Sequence, residues 1–352
     1  PVGIKWETAR NLPADRKFLL VNAEEGEPGV YSNRHLMEGD PHQLLEGVQI
    51  AALAVGASQA FVFINGEAKL SQERVLAALE RARAANLAPI PVEVRFGGGG
   101  YVLGEESALI NAIHGWRNEP LPRPPLPVES GLHARPTVIN NAESIANLPS
   151  IVRNGVEWFR SVGNTDSPGT KLMSLAGDVR RPGMYEVPLG TPIADIFERW
   201  GGGVVGSLGA VLVGGPSGSI IPAALASTAL DVRPLQDAGA VLGAGGIMAL
   251  NDTRCPVAVI RGHVAYNARE SCGKCTPCRE GTPRLLQLYD AILDGSATPA
   301  DMELVDELGD VLALGSLCGL GQMAPNPVRA LTRHFPDHVR AHLERRCELC
   351  KS

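Results

Sequence analysis

KFLLVNAEEGEPG, residues 17–29, passes from an apolar run straight into an acidic loop that carries two glycines. Residues 17–22 have the length and composition of a buried strand. Working outward, HQLLEGVQIAALAVGA (42–57) has helical periodicity, with Asp40 to cap it, Pro41 suited to its first turn and Gly56 suited to its end. QAFVFIN (59–65) is a second strand, SQERVLAALERARAA (71–85) a second amphipathic helix and PVEVRF (91–96) a third strand. Strand, helix, strand, helix, strand predicts a parallel sheet with crossover helices. Ligands gather at the carboxyl ends of such strands. Those ends carry NAEEGEPG (22–29), NGE (65–67) and GGGGYVLGEES (97–107).

Composition sets the outer limits. The chain has 352 residues, enough for two or three domains. A hydrophobic content of 44% and a charged content of 20% are those of an ordinary globular protein. Nothing in the net charge of −6 argues for nucleic acid or anionic lipid as a partner. No apolar run reaches the length of a membrane span, and PVGIKWETAR lacks the pattern of a signal peptide. Seven cysteines without a secretory signal favour metal or redox use in a reducing, cytosolic setting over a disulfide framework.

RNEPLPRPPLPVESGLHARP (117–136) reads as rigid and extended, and NNAESIANLPSIVRNGVEWFR (140–160) as helical. Near 165 the texture changes. KLMSLAGDV (171–179), GMYEVPLG (183–190), PIADIFERWGG (192–202) and GAVLVGG (209–215) read as strand, strand, helix and strand, a compact α+β unit. From 255 onward the chain is helical and holds all seven cysteines. The expected domains are therefore 1–165, 166–250 and 251–352. GGGVVG (201–206) matches G-x-G-x-x-G as a string, but a helix precedes it and a strand follows, the reverse of a dinucleotide fingerprint. It reads as a helix-ending turn.

ESCGKCTPCREG (270–281) places Cys272, Cys275 and Cys278 three apart. One tight loop delivering three thiolates is more typical of a [4Fe–4S] cluster than of structural zinc, which usually takes two separated pairs. On spacing, the fourth ligand is open among Cys318, Cys347 and Cys350. Zinc held by Cys272, Cys275, Cys347 and Cys350 is the rival, and it leaves Cys278 unexplained. Cys255, in the strand-like run CPVAVI, reads as a buried inert thiol, and CELC (347–350) as an exposed terminal pair or the start of a further cluster domain. In the acidic loop, Glu24, Glu25 and Glu27 repel phosphate but can accept hydrogen bonds from ribityl or ribose hydroxyls. Gly97–Gly100 allow close approach to a flat ligand that Tyr101 can flank, and Glu105 and Glu106 stand at a helix start.

Taken in order, NAEEGEPG, GYVLGEESAL, RPTVINNAESIAN, ESCGKCTPCREG and GSLC make the chain resemble the flavoprotein subunit of respiratory complex I and its relatives, the diaphorase subunits of NAD-linked formate dehydrogenases and hydrogenases. The resemblance implies a multidomain α/β fold: a Rossmann-like flavin domain, a β-grasp (soluble-ligand-binding) α+β domain and a C-terminal helical iron–sulfur domain. It implies hydride transfer from NAD(P)H to FMN, then single electrons to a [4Fe–4S] cluster and onward to partner subunits, including a [2Fe–2S] thioredoxin-like one. It implies FMN contacts at Lys5, Asn22, Glu24, Tyr101, Glu105, Ile139, Asn140, Asn141 and Ser144, with Lys5 beside the flavin phosphate. Glu27 and Glu106 would face the nicotinamide nucleotide. Cys272, Cys275, Cys278 and Cys318 would bind the cluster, which selects Cys318 as the fourth ligand. No catalytic acid is required, because the flavin itself accepts hydride.

The chain also departs from the family pattern. Of the glycine-rich loop GRGGAGFPTGxKW only the tail is present, as PVGIKW; Thr8 and Leu126 stand where the family has aromatics; RPPL (123–126) replaces KPPF and NGEA (65–68) replaces RGEY. Fewer nucleotide-stacking rings imply weaker NADH binding, at about 1 kcal/mol per aromatic pair. Two alternatives follow: an iron–sulfur relay or structural subunit that has lost NADH and FMN binding, and a zinc-stabilised interaction module.

Overall fold

A computed structural model describes residues 2–350, which divide into two compact units. The first holds the chain as far as Gly26 together with Tyr31–Phe159; the second holds Glu27–Val30 and the chain from Arg160 on.

In the first unit, α1 (Val2–Asn11) leads into β1 (Phe18–Ala23). There follow α2 (Ser32–Gly39), α3 (Pro41–Val55), β2 (Gln59–Ile64), α4 (Lys69–Ala84) and β3 (Val92–Phe96). As expected, Asp40 caps α3 by accepting from the Gln43 N–H, Pro41 sits in its first turn, and Gly56 ends it in the left-handed conformation. A short 3₁₀ turn (Tyr101–Gly104) and α5 (Glu106–Ile113) precede β4 (Thr137–Asn141). The four strands are all parallel, in the order β3-β2-β1-β4. Alternate residues face opposite ways. Leu19, Val21, Ala60, Val62 and Ile64 join the core beneath α3 and α4, while Phe18, Leu20, Phe61, Phe63 and Ile139 pack with Leu103, Leu109 and Ile110 on the other face.

The sequence reading requires two corrections here. Residues 137–141 form a strand, and the helix expected over 140–160 is three short ones: α6 (Ala142–Ala146), α7 (Leu148–Asn154) and α8 (Val156–Arg160). Pro149 opens α7 and Gly155, with φ at 88°, ends it, so one continuous helix cannot form.

In the second unit, β5 (Thr170–Gly177), β6 (Gly183–Pro188), α9 (Ile193–Arg199) and β7 (Leu208–Val213) follow the expected pattern, and the turn after α9 places Gly202 and Gly203 at positive φ. The sequence reading lacked β8 (Ser219–Pro222), α10 (Val232–Asp237) and β9 (Gly246–Asn251). They complete a five-stranded sheet of order β6-β5-β9-β7-β8, antiparallel except between β5 and β9. Helix α9 covers one face through Ile193, Ile196 and Phe197. The helices α11 (Pro256–Glu270), α12 (Thr276–Asp294), α13 (Pro299–Gly315), α14 (Gly319–Met323), α15 (Asn326–His334) and α16 (Pro336–Leu343) share a core with Ala210, Leu212, Ile220 and Leu250 of the sheet. CPVAVI is therefore helical, with Cys255 as N-cap and Pro256 in the first turn of α11. Among the described residues, no helix is long and apolar enough to cross a membrane.

Candidate functional site

The order β3-β2-β1-β4 reverses direction at β1, so the crevice beyond the carboxyl ends of β1 and β4 is a topological switch point. Asn22 and Asn141 stand opposite each other in register there, with Asn140 one residue earlier on β4. The Asn22 side chain donates to Gly104 O at 2.9 Å and accepts from the Glu24 N–H at 3.1 Å, which turns the acidic loop back over the strand ends. The Asn141 amide reaches Asn22 O at 3.4 Å, and its oxygen caps α6 by accepting from the Glu143 N–H. Ser144 lies on that helix. Trp6 on α1 donates to Asn140 Oδ1 at 2.8 Å.

The acidic residues divide in role. Glu25 is buried and structural: it accepts from Ser32 Oγ and from the Asn33 and Arg34 N–H groups, which no turn of α2 can satisfy. Glu24 is buried too, and Asn65 donates to its Oε1 at 2.6 Å, but Oε2 has no hydrogen-bond partner. Burial pushes the Glu24 carboxyl up to about 7. A Cβ at Gly97 would lie 2.5 Å from that same Oε2, so only glycine lets the β3 loop pass. Glu27 belongs to the second unit, with its carboxylate against the backbone of Gly215.

Cations meet the remaining carboxylates. Glu105 caps α5 through the Ser107 and Ala108 N–H groups and pairs with Arg123. Glu106 pairs with Lys5 and, at 3.4 Å, with Arg123, and Lys5 also reaches Ile139 O at 3.5 Å. Tyr101 lies beside the acidic loop, since a Cβ at Gly26 would be 3.5 Å from its Cα. The fold thus links Lys5, Asn22, Glu24, Tyr101, Glu105, Glu106, Ile139, Asn140 and Asn141 in one unit. Sequence reasoning missed Trp6, Asn65 and the pairing role of Arg123. Spacing could not reveal them, because each acts on a partner brought near by the sheet. Of the departures from the family pattern, Thr8 and Leu126 are exposed and Ala68 is buried at the start of α4.

These residues fit a flavin nucleotide. A buried carboxylate oxygen still lacks a donor, and a Cβ at Gly98, Gly99 or Gly100 would meet nothing within 4 Å, so the loop has room for a ring.

In the second unit, Cys272 lies in the loop before α12, Cys275 is the N-cap of α12 and Cys278 is in its first turn. Cys318 is the N-cap of α14. The Leu317 N–H donates to Cys275 Sγ at 3.5 Å, and Ser271 Oγ lies 3.2 Å from Cys278 Sγ. A Cβ at Gly321 would sit 2.9 Å from Cys278 Cβ, so α14 presses Cys318 onto the triplet. Burial first, with Cys275, Cys318 and Cys272 adding to it, pushes the Cys278 thiol up to about 11. Four thiolates cannot gather at such a point without cationic compensation, which is what an iron–sulfur cluster supplies. Ser316 Oγ, buried beside Gly321 and without a hydrogen-bond partner, suits a cluster sulfur.

The zinc set of Cys272, Cys275, Cys347 and Cys350 does not form. Cys347 is buried 3.8 Å from Cys255, so it is not part of an exposed terminal pair, and Cys255 is not an isolated thiol.

Comparison with known proteins follows the same division. Residues 1–150 match the Nuo51 FMN-binding domain, 173–220 the SLBB domain, and 258–342 the NADH-ubiquinone oxidoreductase-F iron-sulfur binding region. The second NADH-quinone oxidoreductase F protein of Rhizobium meliloti is 38% identical over 99% of this chain and 85% of its own. The chain belongs to the NADH-quinone oxidoreductase F family.

Within that family, NADP-reducing hydrogenase subunit HndC of Solidesulfovibrio fructosivorans is 36% identical over 98% of this chain and 72% of its own. A crystal structure of NAD+-reducing [NiFe]-hydrogenase in the H2-reduced state superposes with a TM-score of 0.91 at 38% identity. The match covers 97% of this chain, which spans 59% of the hydrogenase chain. The fold of the F family therefore accounts for both described units, and FMN and a [4Fe–4S] cluster are its redox groups.

Proposed function

We propose that this chain is the NADH-oxidising flavin and iron–sulfur subunit of a larger redox assembly. FMN supplies acceptance of a hydride and release of single electrons, and the [4Fe–4S] cluster supplies a one-electron exit. The observation that carries the reading is the set of polar groups converging on the β1/β4 switch point in a family member that also retains all four cluster cysteines.

The chain's residues bind and orient. Lys5 is the cation for the flavin phosphate and exchanges its pairing with Glu106 for it. Asn22, Asn140 and Asn141 serve the polar edge of the flavin, with Ile139, Tyr101 and Ser144 beside it. Glu24 Oε2 accepts from a ribityl hydroxyl, and Glu105 holds the start of α5 in place. Glu106 faces the nicotinamide nucleotide. Arg123, paired with both Glu105 and Glu106, restrains those carboxylates before the nucleotide arrives. Cys272, Cys275, Cys278 and Cys318 hold the cluster.

The relatives are named as subunits of quinone-linked and hydrogenase complexes, which supports an obligate redox partner, and the family resemblance implies a [2Fe–2S] centre on it. A cytoplasmic location, peripheral to the membrane through partner subunits, accords with this reading. The test is anaerobic addition of NADH to the FMN- and iron-loaded chain. Flavin absorption should bleach, and the signal of a reduced [4Fe–4S] cluster should follow. Bound flavin that stays oxidised would overturn the NADH assignment.

A further inference from the structure

Cys255, His342, Cys347 and Cys350 form a second cluster of soft ligands, apart from the thiolates assigned to iron and sulfide. Their ligating atoms all lie within 4.8 Å of one another. Cys255 Sγ is 3.2 Å from His342 Nε2 and 3.8 Å from Cys347 Sγ, and Cys350 Sγ is 3.7 Å from the same Nε2. Zinc–sulfur bonds of about 2.3 Å and zinc–nitrogen bonds of about 2.0 Å around one tetrahedral ion place ligand atoms about 3.5–3.8 Å apart. The observed separations are of that size. They are too long for a disulfide, whose sulfurs lie about 2 Å apart. They are too short for a two-iron cluster, which places its ligand pairs on different irons.

The surroundings are built for a metal. His342 is 4% exposed, and its Nδ1 lies 2.8 Å from Leu293 O. That carbonyl takes the Nδ1–H and leaves the Nε2 lone pair directed at the sulfurs, the usual support of a metal-bound histidine. Cys255 and Cys347 are buried, and Cys255 heads α11 as its N-cap.

We infer that these four residues bind one structural zinc ion. Three thiols lose their protons to solvent as three Zn–S bonds form, and the neutral imidazole adds the fourth bond without releasing a proton. With four protein ligands and no open position, the ion has no place for a substrate. Its effect is mechanical. Cys255 and His342 are 87 residues apart in sequence, so the ion joins the start of α11 to the segment that follows α16 and closes the helical layer into one cooperative body.

The test uses the full chain, loaded with FMN and iron, with zinc and iron quantified in the same sample. One zinc per chain is expected in addition to the cluster iron. Cobalt(II) exchanged into the site should give the intense absorption of a tetrahedral S₃N centre. Cys350→Ser, at the exposed ligand, should weaken zinc binding at least about tenfold while flavin and iron contents hold. His342→Cys should retain the metal as a Cys₄ site and shift the cobalt spectrum. Zinc-free protein whose cobalt form lacks that absorption would overturn the inference. So would an iron signal lost in Cys350→Ser, or a Cys255–Cys347 disulfide in mass analysis.

Discussion

The second unit carries two sets of side chains proposed to bind metal, built in different ways. Cys272, Cys275 and Cys278 come from one loop and the first helical turn after it, and one further residue, Cys318, completes the set. Cys255, His342, Cys347 and Cys350 come from two ends of the helical layer and meet only because α11, α12 and α16 pack together. The first set holds its group close to a chain turn, with three partly exposed thiols, as suits electron exit. In the second set three of the four ligands are buried, which suits a brace. Local spacing builds a redox site, and long-range packing builds a staple.

Removing one ligand from each set should separate the two roles. Cys318→Ser should reduce NADH-driven electron delivery to a one-electron partner to background, because the cluster is lost, while NADH still bleaches the flavin. Cys350→Ser should leave delivery intact at low temperature and lower thermal stability instead. With free zinc about a thousandfold above the parent Kd, a tenfold weaker site costs about 1.4 kcal/mol and complete loss of zinc about 4 kcal/mol, read from the unfolding midpoint with and without chelator. If both variants lose iron equally, the contrast fails.

Spacing made the first set legible in the sequence, whereas the second was hidden. Cys255 read as an inert thiol because CPVAVI is apolar and β-branched, yet Pro256 starts a helix there. His342 carried no local signal, since its partners are distant in sequence or lie in a pair that read as exposed. The parallel sheet was legible up to β3 because β1 and β2 are apolar runs and β3 alternates apolar with charged residues. Strand β4 was not, because Asn140 and Asn141 make TVINN look like a loop or a helix start. That concealment has a functional cause: the polar residues that disguise the strand are the ones placed at the switch point. Likewise β8 is four residues ending in proline, too short to show alternation.

A smaller effect contrasts the two buried carboxylates of the acidic loop. Glu24 titrates near 7 rather than 4.5, so the native state keeps its proton longer than the unfolded chain does. That contribution to stability is fully present below about pH 4.5 and is lost as pH rises through about 7, by at most about 3 kcal/mol. Denaturation of the flavin-free chain at pH 5 and pH 8 should show this slope, and Glu24→Gln should flatten it. An unchanged slope would mean that Glu24 is not its source. Flavin should bind more tightly above pH 7 than below it, because a ribityl hydroxyl donates to the ionised carboxylate.

The smallest effect expected is that of Trp6→Phe, which removes the 2.8 Å bond to Asn140 and keeps most of the ring packing. It should cost about 1 kcal/mol of stability and weaken flavin binding severalfold, read from fluorescence titration with FMN. Flavin affinity equal to that of the parent chain would show that Asn140 needs no anchor.

The most direct measurement of the central claim is anaerobic reduction by NADH, followed by optical and electron paramagnetic resonance spectroscopy on one sample loaded with FMN and iron. The account predicts flavin bleaching and then the signal of one reduced [4Fe–4S] cluster, with that signal absent in Cys318→Ser. Bound flavin that NADH leaves oxidised, or a cluster signal that survives in Cys318→Ser, would contradict it.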